Sequence, residues 1–186
     1  MIITEEFLRK HNACEELLDF GIEHDLIGME AVPLMERLFE LEEVNWALWL
    51  TIRTMSRKQC VQFACHCARS VLHIFEERFP HDNRPRDAIE ATDKFGTPDF
   101  DEEKCKDAAY DVYVASVAAK AASSSESAAA SSAAAATVAA FYAATANATA
   151  TASASASSKV AEYFLKQKEK ISEFVRLGIK MLMEDK

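Results

Sequence analysis

Glycine and proline are scarce in this chain of 186 residues: there are four of each, and neither occurs between Pro98 and Gly178. These residues punctuate turns, so their absence excludes a loop-rich second half and leaves helix as its natural conformation. Long runs of large apolar residues are missing too, and none has the roughly eighteen residues of a membrane-crossing helix. The N-terminus, Met1-Ile2-Ile3-Thr4-Glu5-Glu6, has neither the basic nor the apolar region of a secretion signal, so a soluble, cytoplasmic protein is expected. The five cysteines (Cys14, Cys60, Cys65, Cys67 and Cys105) are odd in number and sit within helical segments, which argues against a secreted disulfide scaffold and predicts reduced thiols. Catalytic signatures are lacking as well. There is no Gly-x-Ser-x-Gly elbow, no Gly-rich phosphate loop and no His-Glu-x-x-His helix, so neither an enzyme nor a bound cofactor is expected.

Positive charge is the remaining deficit. The formal net charge is −9, and residues 1–43 alone hold twelve Asp and Glu against Arg9, Lys10 and Arg37. An acidic field of this kind disfavours direct nucleic-acid binding, which needs cations to displace phosphate counterions, and favours a basic protein partner. A merely solubilising surface is the competing reading.

What is present reads as helix throughout. Asn12 followed by Glu15 predicts an N-cap opening a helix through Leu17, Leu18 and Phe20 to Gly21. A second helix is expected from Ala31 to Leu41, with Pro33 in its first turn. A third carries Val44, Ala47, Leu48, Thr51, Ile52 and Met55 at 3-4 spacing. Ser56-Arg57-Lys58-Gln59 is a capping box that places the next helix start at Arg57. Its apolar face takes Cys60, Phe63, Ala64, Cys67, Val71, Leu72, Ile74 and Phe75, with Gln62, His66, Arg69, His73 and Glu77 opposite and Pro80 at its end. A short helix follows from Pro85 to Phe95, closed by Gly96, and Asp99 with Glu102 caps the next.

From Ala108 to Ser158 about half the residues are alanine and most others are Ser or Thr. Alanine loses no side-chain entropy in a helix. Ala108, Val112, Ala115, Ala119 and Ala122 recur at 4-3-4-3 spacing, a narrow seam along which helices can approach closely. Ser123-Ser124-Ser125 is the expected turn, Ala128 to Tyr142 a further helix, and Lys159 to Met183 an amphipathic one carrying Val160, Phe164, Ile171, Phe174, Val175, Ile179 and Leu182. Ala146 to Ala156 alternates with period two, formally a strand signal, but no partner strand is visible, so helix is preferred, with disorder as its rival.

Cys60, Cys65, His66, Cys67 and His73 invite a metal reading that helical geometry opposes. Cys60 and Cys67, like His66 and His73, are seven residues apart, or about 10 Å along the axis. Ligands of one zinc ion lie within about 2.3 Å of it. The cysteines therefore read as small core residues, and no metal is expected. The threonines of the tract (Thr137, Thr145, Thr149 and Thr151) lack the regular spacing of alanine-rich antifreeze helices. Trp46, Trp49 and Arg53 lie opposite the main apolar face of the third helix, and Trp with Arg is the composition of an interface hot spot. The preferred reading is nevertheless a central helix buried on both sides, since large aromatics are usually buried in a domain of this size.

The densest motif runs Val71-Leu72-His73-Ile74-Phe75-Glu76-Glu77, then Pro80, Asp82, Arg84-Pro85-Arg86 and Ala88-Ile89-Glu90-Ala91. Asp82 or Asn83 can accept the first amides of the helix, Pro85 fits its first turn, and Arg84 and Arg86 are placed to meet Glu76, Glu77 or Glu90 across the corner. This Arg-Pro-Arg-x-Ala-Ile-Glu-Ala motif, followed by alanine-rich helices, resembles the signature of immunity proteins of bacterial polymorphic-toxin loci, also scattered in phage genomes. The resemblance covers about half the chain. It implies an all-helical protein that binds and neutralises a toxin, with no catalytic residue to carry over. The Ser and Thr spacers of the tract depart from the family habit of Asp, Lys and Arg.

The expectation is a single all-α domain, a helical bundle with an acidic half and motif (1–107), Ala/Ser-rich helices (108–158) and a C-terminal amphipathic helix (159–186). Its expected role is non-enzymatic inhibition of a protein partner, a basic nuclease toxin. The partner-binding candidates are Glu36, Glu40, Glu42, Glu43, Trp46, Trp49 and Arg53; Glu76, Glu77, Asp82, Arg84, Pro85, Arg86 and Glu90 form a structural motif. Three alternatives stand beside it: a phage anti-defence protein, anti-CRISPR-like, that occludes the nucleic-acid-binding surface of a host nuclease; a ligand-binding or enzymatic bundle using Cys65, His66 and His73; and a structural helical protein whose alanine seam forms homo-oligomers.

Overall fold

Thr4 opens a helix too short for periodicity to reveal. Its Oγ1 accepts the Phe7 N–H at 3.1 Å, and α1 (Glu5–Lys10) carries Glu5 and Glu6 in its first turn and Arg9 and Lys10 in its last, matching the helix dipole. The others are α2 (Glu15–Glu23), α3 (Ala31–Glu40), α4 (Val44–Thr54), α5 (Arg57–Arg78), α6 (Arg84–Asp93), α7 (Glu102–Ala121) and α8 (Lys168–Glu184). This computed structural model describes residues 1–121 and 168–184, with the side chains at 112, 113, 115–121 and 168–171 excepted. The protein is all-α: among the described residues there is no strand, only an isolated bridge between Ile2 and Glu30. The chain divides into two compact units, Met1–Thr54 with Gln167–Lys186, and Met55–Lys166.

In the first unit, α1, α2 and α3 all end by the same device. The residue after the C-cap is left-handed in each case (Asn12 at φ 56°, Asp25 at 53°, Glu42 at 65°). The amide of the following residue then reaches back to the helix: Ala13 to the Leu8 carbonyl at 3.0 Å, Leu26 to Gly21 at 2.8 Å, and Glu43 to Leu38 at 2.8 Å. This is the Schellman motif, which usually uses glycine at that position. Asn12 therefore terminates α1 and does not cap α2. Asparagine tolerates the left-handed region as readily as it caps, and Cys14 occupies the N-cap position with no side-chain bond.

The extended N-terminus clips onto the link before α3 through Ile3 N–H to Met29 O (2.9 Å) and Gly28 N–H to Ile3 O (2.8 Å), with Ile3 fully buried. Helices α3 and α8 both pack on α4. Leu34, Met35 and Leu38 of α3, Ala47, Leu48, Leu50 and Ile52 of α4, and Phe174 and Val175 of α8 are buried. Thr51, also buried, donates its hydroxyl to the Ala47 carbonyl at 2.8 Å, so its polar atom is satisfied within its own helix.

In the second unit the capping box is as expected: Ser56 N–H donates to Gln59 Oε1 at 2.8 Å, and Gln59 N–H donates to Ser56 Oγ at 3.3 Å. The predicted apolar face of α5 is buried apart from half-buried Ile74, joined by Val61, Cys65 and Ala68, and Gln62, His66, Arg69, His73 and Glu77 are exposed. Helix α6 packs on both α5 and α7. Its buried residues are Pro85, Ala88, Ile89 and Thr92, at 3-4 spacing. The cap of α7 is Asp101, whose Oδ1 accepts the Lys104 N–H at 3.0 Å; Asp99 lies two residues too early to do so. Gly96, at φ 79°, lets the chain reverse, and a Cβ added there would meet the Lys58 alkyl chain at 3.7 Å.

The backbone of α7 continues helical to Ala121, and the described part of the C-terminal helix runs from Lys168. The side chains of Val112, Ala115, Ala119 and Ala122, the Ser123–Ser125 turn, the Ala128–Tyr142 helix, the Ala146–Ala156 alternation and the start at Lys159 lie outside the described residues. So does the expected close packing of the alanine-rich helices.

Candidate protein interface

Both tryptophans sit on α4 with Arg53, spaced 46, 49 and 53, which places them on one helix face. All three are half-buried. The Arg53 guanidinium lies over the Trp49 ring, 4.5 Å from its centroid, a cation–π contact. Trp46 meets Phe20 of α2, with centroids 5.0 Å apart and planes tilted by 58°. Phe20 in turn stacks on His24 at 3.9 Å. The His24 Nδ1–H is held 3.0 Å from the Phe20 carbonyl at the end of α2. Three rings from two helices are thus in series.

Phe20 and His24 were not among the sequence candidates. A signal was available: Phe7 and His11 share the same four-residue spacing, and their rings are 4.3 Å apart. Burial, then the neighbouring Arg53 and Lys10 charges, hold the His11 imidazolium below its ordinary pKa.

Glu36, Glu40 and Glu42 are exposed and Glu43 is half-buried. Glu40 accepts from Arg37 at 2.8 Å, so part of its charge is met locally. Glu42 and Glu43 lie in the link immediately before α4, about one turn from Trp46. Glu36 and Glu40 are one turn apart on α3, and no described contact joins them to the tryptophans.

The charges of the motif meet one another. Arg84 pairs with Asp82 two residues back, Nε to Oδ1 at 2.8 Å and Nη2 to Oδ2 at 2.6 Å, and its Nη1 is 3.4 Å from the Asp111 carbonyl of α7. This fork holds the Asp82 carboxyl below its ordinary pKa. Asp82 Oδ1 also accepts the Arg84 amide at 3.2 Å, whereas Asn83 makes no side-chain cap bond. Arg86 reaches Glu76 of α5, Nε to Oε1 at 2.9 Å. The expectation that Arg84 meets a glutamate fails because Asp82 is nearer in sequence and matches its fork; Glu77 and Glu90 are exposed. Pro85 is buried in the first turn of α6. Arg69 of α5 pairs with Asp93 of α6, and Arg57 lies over Phe95 at 5.1 Å, so cations of α5 meet both the end of α6 and the turn beyond it.

All five cysteines are free thiols, and only Cys14 is exposed. Burial pushes the Cys65 thiol up to about 12 and Cys67 higher still, so neither is poised as a nucleophile. Among the described residues no group of three His, Cys, Asp or Glu side chains could hold a metal, and no helix is long and apolar enough to cross a membrane.

The Asp82–Arg84 and Glu76–Arg86 corner lies inside the region, residues 50–174, matched by the model of a family described as "Imm-5 like putative immunity protein". The chain belongs to this family. The Imm-5 like match begins near the C-terminal end of α4 and ends within α8, and it includes all of α5, α6 and α7. Residues 1–49, with α1 to α3, both tryptophans and the acidic stretch, lie outside it. No curated protein and no solved structure matches the chain.

Proposed function

We propose that this Imm-5 like family member neutralises a toxin by binding it, and that the acidic N-terminal helices make the contact. The observation that carries the reading is the placement of charge. Of the twelve carboxylates within residues 1–43, eleven are exposed, and that stretch accounts for the formal charge of −9. A surface of that sign favours a basic partner, and a nuclease, which must hold phosphates with Lys and Arg, is the toxin class that fits. Glu36, Glu40, Glu42 and Glu43, with Trp46, Trp49 and Arg53, are the proposed contact residues. The corner residues Glu76, Asp82, Arg84, Pro85 and Arg86 are proposed to brace the helices.

The test begins by isolating the toxin that copurifies from the native host. Its inhibition by wild type and by a variant with Glu36, Glu40, Glu42 and Glu43 all changed to Lys is then measured across a salt series. Inhibition should weaken at least tenfold, and its salt dependence should flatten. Equal inhibition by the two proteins, with equal salt slopes, would remove the acidic face from the mechanism.

A further inference from the structure

The geometry points to an arginine-binding patch at the junction of α2 and α4, in which the His24–Phe20–Trp46 rings, flanked by carboxylates, take guanidinium groups of the partner. The inference rests on the toxin-binding reading and narrows it, from a basic surface to one that presents arginine.

Three observations converge on it. The rings form a continuous series, with His24 3.9 Å from Phe20 and Phe20 5.0 Å from Trp46 by centroid. His24 is exposed and the other two are half-buried, so each ring keeps some surface in solvent. Carboxylates lie beside it: Glu16 and Glu23 are four before and three after Phe20, at spacings that share a face of α2, and Glu43 is three before Trp46, in the link that leads into α4. Among the described residues neither Glu16 nor Glu23 is in an ion pair, so their charge is available to a partner.

The chemistry selects arginine over lysine. A guanidinium is flat and weakly hydrated; it can stack on an aromatic face while its N–H groups reach carboxylates at the edge, whereas an ammonium is a strongly hydrated point charge. The same helix already makes one such contact, with Arg53 over Trp49 at 4.5 Å. Trp46 is one turn away on the same face. Trp, Tyr and Arg are the residues that dominate binding energy at protein interfaces, and here the chain would supply the ring and the partner the cation.

Trp46 and Trp49 are the only tryptophans, so tryptophan emission, excited beyond the absorption of the four tyrosines, reports on this face alone. The full chain is titrated with octa-arginine and with octa-lysine at low salt, followed by emission and by calorimetry. A saturable emission change is expected with octa-arginine, at a midpoint at least fivefold below that for octa-lysine. Glu16→Gln with Glu23→Gln, two exposed substitutions, should raise the midpoint several-fold. Trp46→Phe, which keeps a ring against Phe20, should abolish the change, and Trp49→Phe should retain it. Octa-arginine binding by calorimetry with no emission change, equal midpoints for the two peptides, or a change that survives Trp46→Phe would each overturn the patch while leaving the acidic surface in place. Absence of binding by either peptide would overturn both.

Discussion

Arg86 of α6 reaches back ten residues to Glu76 of α5, its Nε 2.9 Å from the carboxylate Oε1. Pro85, Ala88 and Ile89 of the same helix are buried, so the corner that the pair closes also has an apolar side. Both side chains keep contact with solvent, at 50% exposure for Arg86 and 29% for Glu76, so the pair is a modest contributor.

A double-mutant cycle with Glu76→Gln and Arg86→Gln should return a coupling of about 0.5–1 kcal/mol from urea unfolding at low salt. The coupling should shrink in 1 M salt, where exposed charges are screened. A coupling indistinguishable from zero at low salt would show that the corner is held by its apolar contacts alone.

Glu42 stands at φ 65°, where glycine is the natural residue. A side chain in the left-handed region costs on the order of 1 kcal/mol. Glu42→Gly should therefore stabilise the fold by about 0.5–1 kcal/mol, part of the relief being offset by the extra freedom glycine has when unfolded. Glu42→Ala keeps the strain and removes only the carboxylate. If Gly and Ala shift the urea midpoint equally, the strain assignment is wrong. Should Glu42→Gly raise stability and weaken toxin binding together, the strained glutamate is retained for its carboxylate.

Local rules carried the sequence reading where one residue type fits one role. Ser56 and Gln59 satisfy each other's amides within four residues, so the start of α5 could be placed to the residue. Asn12 fits two roles, N-cap and left-handed C′, and only the Ala13 to Leu8 hydrogen bond decides between them. Asp99 and Asp101 present the same chemistry two positions apart, so the cap of α7 was misplaced. Helix α1, six residues long, has too few turns for a period to emerge. The candidate interface was half legible. Trp46, Trp49 and Arg53 share a helix face by spacing, whereas the ring that Trp46 meets is Phe20, twenty-six residues earlier on another helix, and no local pattern encodes that pairing.

Asp82 makes the response to acid predictable. Its pKa is lowered from the ordinary 3.8, first by the hydrogen bonds from the Arg84 side chain. A carboxyl whose folded pKa is depressed contributes stability that is fully present above its unfolded value and is lost as pH falls through the folded one. Wild type should therefore lose this contribution only below the ordinary carboxylate range. Asp82→Asn, which cannot carry the charge at any pH, should melt lower than wild type at pH 7, and the gap should narrow as pH drops below 3.8. Thermal melts of both proteins from pH 7 to pH 2, at one ionic strength, give the comparison. A gap that stays constant over that range would mean that Asp82 acts through its shape and its bond to the Arg84 amide, and that the charge pairing with the guanidinium contributes nothing to the fold.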